Sequence, residues 1–212
     1  MSLNANLIKE LREKSGAGIV DCKNALLQND NDVDRSIDWL RKKGLSVAAK
    51  KSGRVAAQGL VGVHISNNKA CLIEINSETD FVSRNEQFQK FVSDCSKIAL
   101  SSNGDIESFL RSNFIEGDNT VKDELTKNIA TIGENLKIRK IEKITLNDPG
   151  LIVSYVHNSV SENLGKIAVI LSLKSNADQN SLDKIGKKLA MHIAASNPIA
   201  LNLDNLDPKI ID

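Results

Sequence analysis

The stretch GLVGVHISNNKACLIEIN, Gly59 to Asn76, decides the fold. Two β-rich runs, Gly59 to Ile65 and Ala70 to Asn76, flank Ser66-Asn67-Asn68, and small polar residues between such runs signal a hairpin. Just downstream, Ser83-Arg84-Asn85-Glu86 has the S-x-x-E form of a capping box, and Phe88, Phe91, Val92, Cys95 and Ala99 follow at helical period. A hairpin leading into an amphipathic helix predicts an α+β unit. Ile106 to Asn135 adds two more helices, the second starting near Thr120.

A second unit of the same kind is expected beyond it. Lys137 to Leu146, Leu151 to His157 and Lys166 to Leu173 read as strands, and Ser181 opens a helix with Leu182, Ile185, Leu189 and Ile193 on one face. At a constant offset, Phe88, Phe91, Cys95, Ala99 and Ser102 correspond to Leu182, Ile185, Leu189, Ile193 and Ser196, and Gly59-Leu60 echoes Gly150-Leu151. Two such copies imply an internal pseudo-repeat.

Upstream of the hairpin the pattern is helical. Ala5 to Lys14 carries Leu7, Ile8 and Leu11 on one face and is stopped by Ser15-Gly16-Ala17-Gly18. Ile19 to Gln28 is a second helix, and Asp32 caps a third with Val33, Ile37 and Leu40, Trp39 lying in or at the edge of the core. Arg41 to Arg54 turns to Lys, Ser, Gly and Ala and reads as a solvated, partly helical linker. The expected layout is α+β: a three-helix bundle over 1–43, a linker over 44–56, and two related core units of antiparallel sheet with packed helices over 57–136 and 137–212.

Composition narrows the function. The 212 residues are 41 % apolar with 12 Gly and 3 Pro, which favours an ordered chain. Net charge is +1 from 28 basic and 27 acidic residues, so no global field draws the protein to nucleic acid or membrane, and neither partner is expected. Met1 to Asn6 has neither a secretory nor a transit layout, and no run approaches the ~20 apolar residues of a membrane span. Cys22, Cys71 and Cys95 show no C-x-x-C spacing, which fits a reduced, cytoplasmic compartment. His64, His157 and His192 fall at no metal-ligand spacing, and Gly16-Ala17-Gly18 to Lys23 lacks the phosphate-loop pattern and follows a helix. No enzyme, metal or cofactor is expected. What stands out is Thr79-Asp80-Phe81-Val82, with two readings. Val82 is a staple at the helix entrance with Phe81 as added core, or the segment is an apolar wedge on a strand-to-helix turn.

LREKSGAGIVDCKNAL from Leu11 to Leu26, then Glu78-Thr79-Asp80-Phe81-Val82, Ile132-Gly133-Glu134-Asn135 and Met191-His192-Ile193-Ala194-Ala195 together resemble the elongation factor Ts family, over essentially the whole chain. The resemblance implies a ubiquitin-associated-like (UBA-like) three-helix domain, a linker and a core of two α+β subdomains. It implies a guanine nucleotide exchange factor whose partner is the GTPase elongation factor Tu, with no nucleotide bound by the factor itself. By that likeness, the wedge is Thr79, Asp80, Phe81 and Val82. Arg12, Ile19 and Val20 dock the amino-terminal domain, and Ile132, Gly133 and His157 approach the partner's phosphate loop. His192 reads as structural. Two departures are visible: Ile19 and Val20 stand where relatives often carry methionine, and many relatives continue past Asn197-Pro198 into a helical dimerisation module, which puts homodimerisation in doubt. Three other classes stay open on the residues alone: a helical adaptor for ubiquitin-like partners, RNA binding through Arg41 to Arg54, and an enzyme whose Ser-His-Asp or Cys-His partners meet only in the fold.

Overall fold

The computed structural model describes residues 5–102, 105–115 and 119–210. Helices α1 (Ala5–Ser15), α2 (Ile19–Gln28) and α3 (Val33–Lys51) pack around Leu11, Cys22, Ala25 and Leu26, with Leu7, Ile8, Ile37 and Leu40 against them. Helix α1 stops where Gly16 takes φ +69°, its N–H bonding the Arg12 carbonyl at 2.8 Å. Asp32 caps α3, its carboxylate accepting the Arg35 N–H at 2.9 Å. Trp39 sits half-buried at the edge of this core, with the Lys43 ammonium 5.3 Å from its ring centroid.

Helix α3 runs further than the sequence pattern predicts. Residues 44–51, expected to be linker, continue it, so the irregular connection is only 52–57. The reason is tertiary: Gly44 is buried against Ala130 and Thr126, and Lys51 Nζ donates to the Gly133 carbonyl at 2.5 Å. Contacts at both points hold a Lys/Ala-rich segment whose propensity already favours helix.

Strands β1 (Gln58–Ser66) and β2 (Lys69–Ser77) form the expected hairpin, with Asn67 in the turn at φ +54°. The next strand, β3 (Lys137–Thr145), corrects the domain reading: it was assigned to the second unit but pairs antiparallel with β2. A register shift between Glu74 and Ile75 explains this. Glu74 faces Lys140 and Ile75 faces Ile138, so two residues of β2 oppose three of β3, and Ile138 and Ile141 both turn into the core. A boundary at 137 therefore cuts a sheet. With β5 (Leu164–Gly165) on β1, the sheet order is β3-β2-β1-β5, while β4 (Gly150–His157) and β6 (Ile167–Lys174) form a second, two-stranded sheet.

Helices α4 (Glu86–Ser101), α5 (Ile106–Arg111) and α6 (Val121–Ile132) enclose the first core, and α7 (Gln179–Ser196) lies on β4 and β6. Helix α6 begins at a full capping box of Thr120 and Asp123. The other two caps differ from the pattern. Asn85, rather than Ser83, caps α4 by accepting the Phe88 N–H at 3.0 Å, and Asp178, rather than Ser181, caps α7. A 3₁₀ turn over Phe81–Arg84 fills the residues before Asn85, and Ser83 is buried and bonded elsewhere. Among the described residues, no helix is long and apolar enough to cross a membrane.

The internal echo is physical at its glycines. Gly59 (φ +134°) and Gly150 (φ +158°) open their strands in a conformation that side chains avoid, and an added Cβ would lie 2.2 Å and 1.9 Å from the opposing Ile75 and Leu173 carbonyl oxygens. The helices match less well. Helix α4 buries Phe88 and Val92 together with Phe91, Cys95 and Ala99, whereas α7 buries Leu182, Gly186 and Ala190 and leaves Ile185 and Leu189 exposed. The first sheet and α6 both pack on α4, while the main neighbours of α7 are β4 and β6.

Gly59→Ala and Gly150→Ala are each expected to lower unfolding free energy by about 1–3 kcal/mol in urea titration. An unchanged midpoint would mean that the hairpin backbone moves aside freely.

Candidate functional site

The chain leaves β2 at Ser77, whose hydroxyl donates to the Thr79 carbonyl at 2.9 Å, and enters α4 at Glu86. The connection between them is pinned at both ends. Ser83 N–H donates to the Asp80 carbonyl at 3.1 Å and Asn85 N–H to the Val82 carbonyl at 3.0 Å, closing the 3₁₀ turn. Successive side chains of such a turn diverge by about 120°. Val82 accordingly points into the main core at 6 % exposure, and Phe81 stands in solvent at 76 %. Val82 is therefore part of the core, as a staple would be, while Phe81 is not.

The turn is braced from two sides. Both Glu134 oxygens hold Thr79: its N–H donates to Oε2 at 2.9 Å and its hydroxyl to Oε1 at 2.6 Å. Glu78 Oε1 in return accepts the Asn135 N–H at 2.6 Å and lies 3.5 Å from Arg54 Nη1, and Asn135 Nδ2 donates to the Arg54 carbonyl at 2.7 Å. These bonds bring exposed Gly133 and half-buried Ile132 beside the turn. Gly133 ends α6 at φ +85°, its N–H bonded to the Ile129 carbonyl at 3.0 Å.

On the other side, Lys166 Nζ donates to Ser83 Oγ at 2.8 Å and to the Gly59 carbonyl at 3.0 Å. The Lys166 N–H also donates to the His157 carbonyl at 3.2 Å. One lysine therefore ties the turn to the end of β4, where His157 is exposed and its Nδ1 lies 3.0 Å from the Tyr155 hydroxyl. Thr79, Asp80, Phe81, Ile132, Gly133 and His157 thus belong to one connected network. Arg12, Ile19 and Val20 do not join it. They are exposed on the bundle, with Ile19 at 57 % and Val20 at 70 % at the start of α2.

Sequence reasoning missed the residues that hold the site. Glu134 and Glu78 lay within quoted motifs, but nothing local shows that each carboxylate binds the other's loop. Lys166 had no signal at all.

The reactive groups lie elsewhere. Among the described residues, no group of three or more His, Cys, Asp or Glu has metal-binding proximity. Cys22, Cys71 and Cys95 are buried; burial pushes the Cys71 thiol up to about 11 and Cys95 well above the usual thiol range, leaving them protonated and poorly nucleophilic at neutral pH. Burial, with Lys97 nearby, lowers His64, which lines a polar cleft of about 520 Å³ beside α4. His192 is exposed on α7.

A large exposed aromatic thus stands on a turn that an α+β fold holds in place. Comparison with known proteins identifies the family. The sequence model of the family described as "Elongation factor TS" matches residues 78–212. Proteins named Elongation factor Ts from Methylobacterium sp. (strain 4-46) and Sphingopyxis alaskensis are 48 % and 50 % identical over 211 and 210 residues. These alignments take in 100 % and 99 % of the chain and 68 % of each relative. That of Azorhizobium caulinodans is 49 % identical over 210 residues, with 99 % and 68 % covered. The chain belongs to the elongation factor Ts family, and its role lies in translation elongation.

Phe81→Ala is expected to change stability by less than about 0.5 kcal/mol, because an exposed side chain contributes little to its own fold. Val82→Ala should cost about 1–3 kcal/mol. Thermal or urea unfolding of the two variants checks the contrast, and equal losses would place Phe81 in the core.

Proposed function

We propose that the protein is the guanine nucleotide exchange factor of elongation factor Tu. The single observation that carries this reading is Phe81, 76 % exposed beside exposed Asp80, on a turn fixed by the core below and hydrogen bonds on both flanks. The Asp80-Phe81 pair enters between helices of the partner's nucleotide domain and disturbs its magnesium site. Magnesium demands near-ideal octahedral geometry, so small displacements of the groups that position it weaken a bound diphosphate. The wedge need not touch the nucleotide, and the factor itself binds none. Thr79 takes part through its place in the turn, and Val82 by anchoring that turn from below.

Ile132, Gly133 and His157 meet the partner near its phosphate loop; Gly133, without a side chain, admits close backbone approach. The amino-terminal bundle is a UBA-like docking domain, and exposed Ile19 and Val20 with Arg12 are its contact patch. The hairpin, β3 and helices α4 to α6 form one core subdomain, and β4, β6 and α7 the other. The work takes place in the cytoplasm and involves no covalent chemistry by this chain. Burying Phe81 in the partner supplies roughly 1.5–3 kcal/mol, available to hold the distorted state. By reciprocity, bound GDP weakens the factor's grip in the same ratio, which lets the cycle turn over.

Stopped-flow release of fluorescent GDP from elongation factor Tu is expected to accelerate with a substoichiometric amount of this chain. Phe81→Ala should reduce that acceleration about 10- to 150-fold, the rate equivalent of the burial above. A folded chain that leaves release unchanged would overturn the proposal.

A further inference from the structure

A four-residue 3₁₀ turn carrying a solvent-exposed phenylalanine has little intrinsic rigidity, since short 3₁₀ pieces have poor hydrogen-bond geometry. Val82 fixes the turn from below, but one inward side chain does not set the direction of the segment before it. That segment, Glu78 to Asp80, is held by an exchange of carboxylates between two loops far apart in sequence. Glu134, just past the α6 cap, takes the N–H and hydroxyl of Thr79, and Glu78, just before the turn, takes the N–H of Asn135. Each loop thus supplies an acceptor to the other's backbone donor, and these short, directional bonds fix the two loops against one another. The third side is closed by the end of α3, where Lys51 Nζ holds the Gly133 carbonyl, and by the connection after it, where the Arg54 carbonyl accepts Asn135 Nδ2.

We propose that Glu134 and Glu78 are positioning residues for nucleotide exchange: their reciprocal brace fixes Thr79-Asp80-Phe81 against the Gly133 cap. Partner resistance then deforms the partner's magnesium site instead of the wedge. The inference rests on the exchange reading above. It concerns geometry rather than charge, and this separates it from electrostatic steering of the partner. A neutral glutamine at 134 can still accept the Thr79 N–H through its carbonyl oxygen, and its amide can donate to a rotated Thr79 hydroxyl.

The test is a double-mutant cycle in the 212-residue chain, reading the maximal rate of fluorescent GDP release at saturating factor together with thermal unfolding. Glu134→Ala is expected to lower the maximal rate about tenfold, with a melting temperature near that of the unaltered chain. Glu134→Gln should stay within about twofold. Combined with Phe81→Ala, the Glu134→Ala change should slow release no further than Phe81→Ala alone, because it acts through Phe81. Thr79→Val, which removes one arm of the brace, should show a smaller loss in the same direction and serves in the cycle if Glu134→Ala does not fold. Three results would sink the brace while leaving the wedge standing: a full rate for Glu134→Ala, an equal loss for Glu134→Gln and Glu134→Ala, or additive losses with Phe81→Ala. If Phe81→Ala alone leaves release unchanged, the exchange reading falls, and the brace falls with it.

Discussion

The burial of Phe88, Phe91, Val92 and Cys95 from α4 against the β1–β2 hairpin is the constraint on which the rest of the structure depends. Each fully buried large side chain contributes about 1.5–3 kcal/mol, so the sheet and helix are fixed relative to one another by far more than any surface bond supplies. The segment joining them must then span two fixed ends. Because Val82 fills the core between those ends, the turn can expose only its neighbour, and the aromatic faces outward as a consequence of packing below it. Which of the two apolar residues faces outward is thus set by the interior, and the direction of Glu78 to Asp80 is left to the polar contacts.

The elements whose signal is local were legible in the sequence. The hairpin, the amphipathic row of α4, the Asp32 cap and the glycine stop after α1 all rest on neighbours a few residues apart. Others depended on partners far along the chain. A β-bulge breaks the two-residue alternation of β3, so nothing in its own pattern assigns it to β2. Helix α3 outlasts its apolar stripe because Gly44 and Lys51 meet α6 and its cap, and a stripe cannot report contacts made by glycine and lysine. At the site, the motif holding Asp80 and Phe81 could be read, but not which of two adjacent apolar residues would face inward. The carboxylates that brace it lie more than fifty residues from the groups they hold.

The two halves of the core share an opening move and then diverge. Gly59 and Gly150 both let a strand begin pressed against a neighbouring carbonyl, a position where any side chain would collide. Beyond that point the environments differ, since α4 is enclosed on two sides and α7 is packed chiefly on one. The same helical spacing of apolar residues therefore yields a buried double row in one copy and a single buried row in the other. Sequence correspondence between repeats records a common plan of hydrogen bonding more faithfully than a common pattern of burial.

Helix α3 belongs to both ends of the molecule at once. Its 19 residues make a rod of about 28 Å whose first half lies among the bundle residues and whose last turn reaches the cap beside Phe81 through Lys51. The bundle and the Gly133 cap are thereby joined by one uninterrupted helix, so no hinge interrupts the helical backbone between Val33 and Lys51.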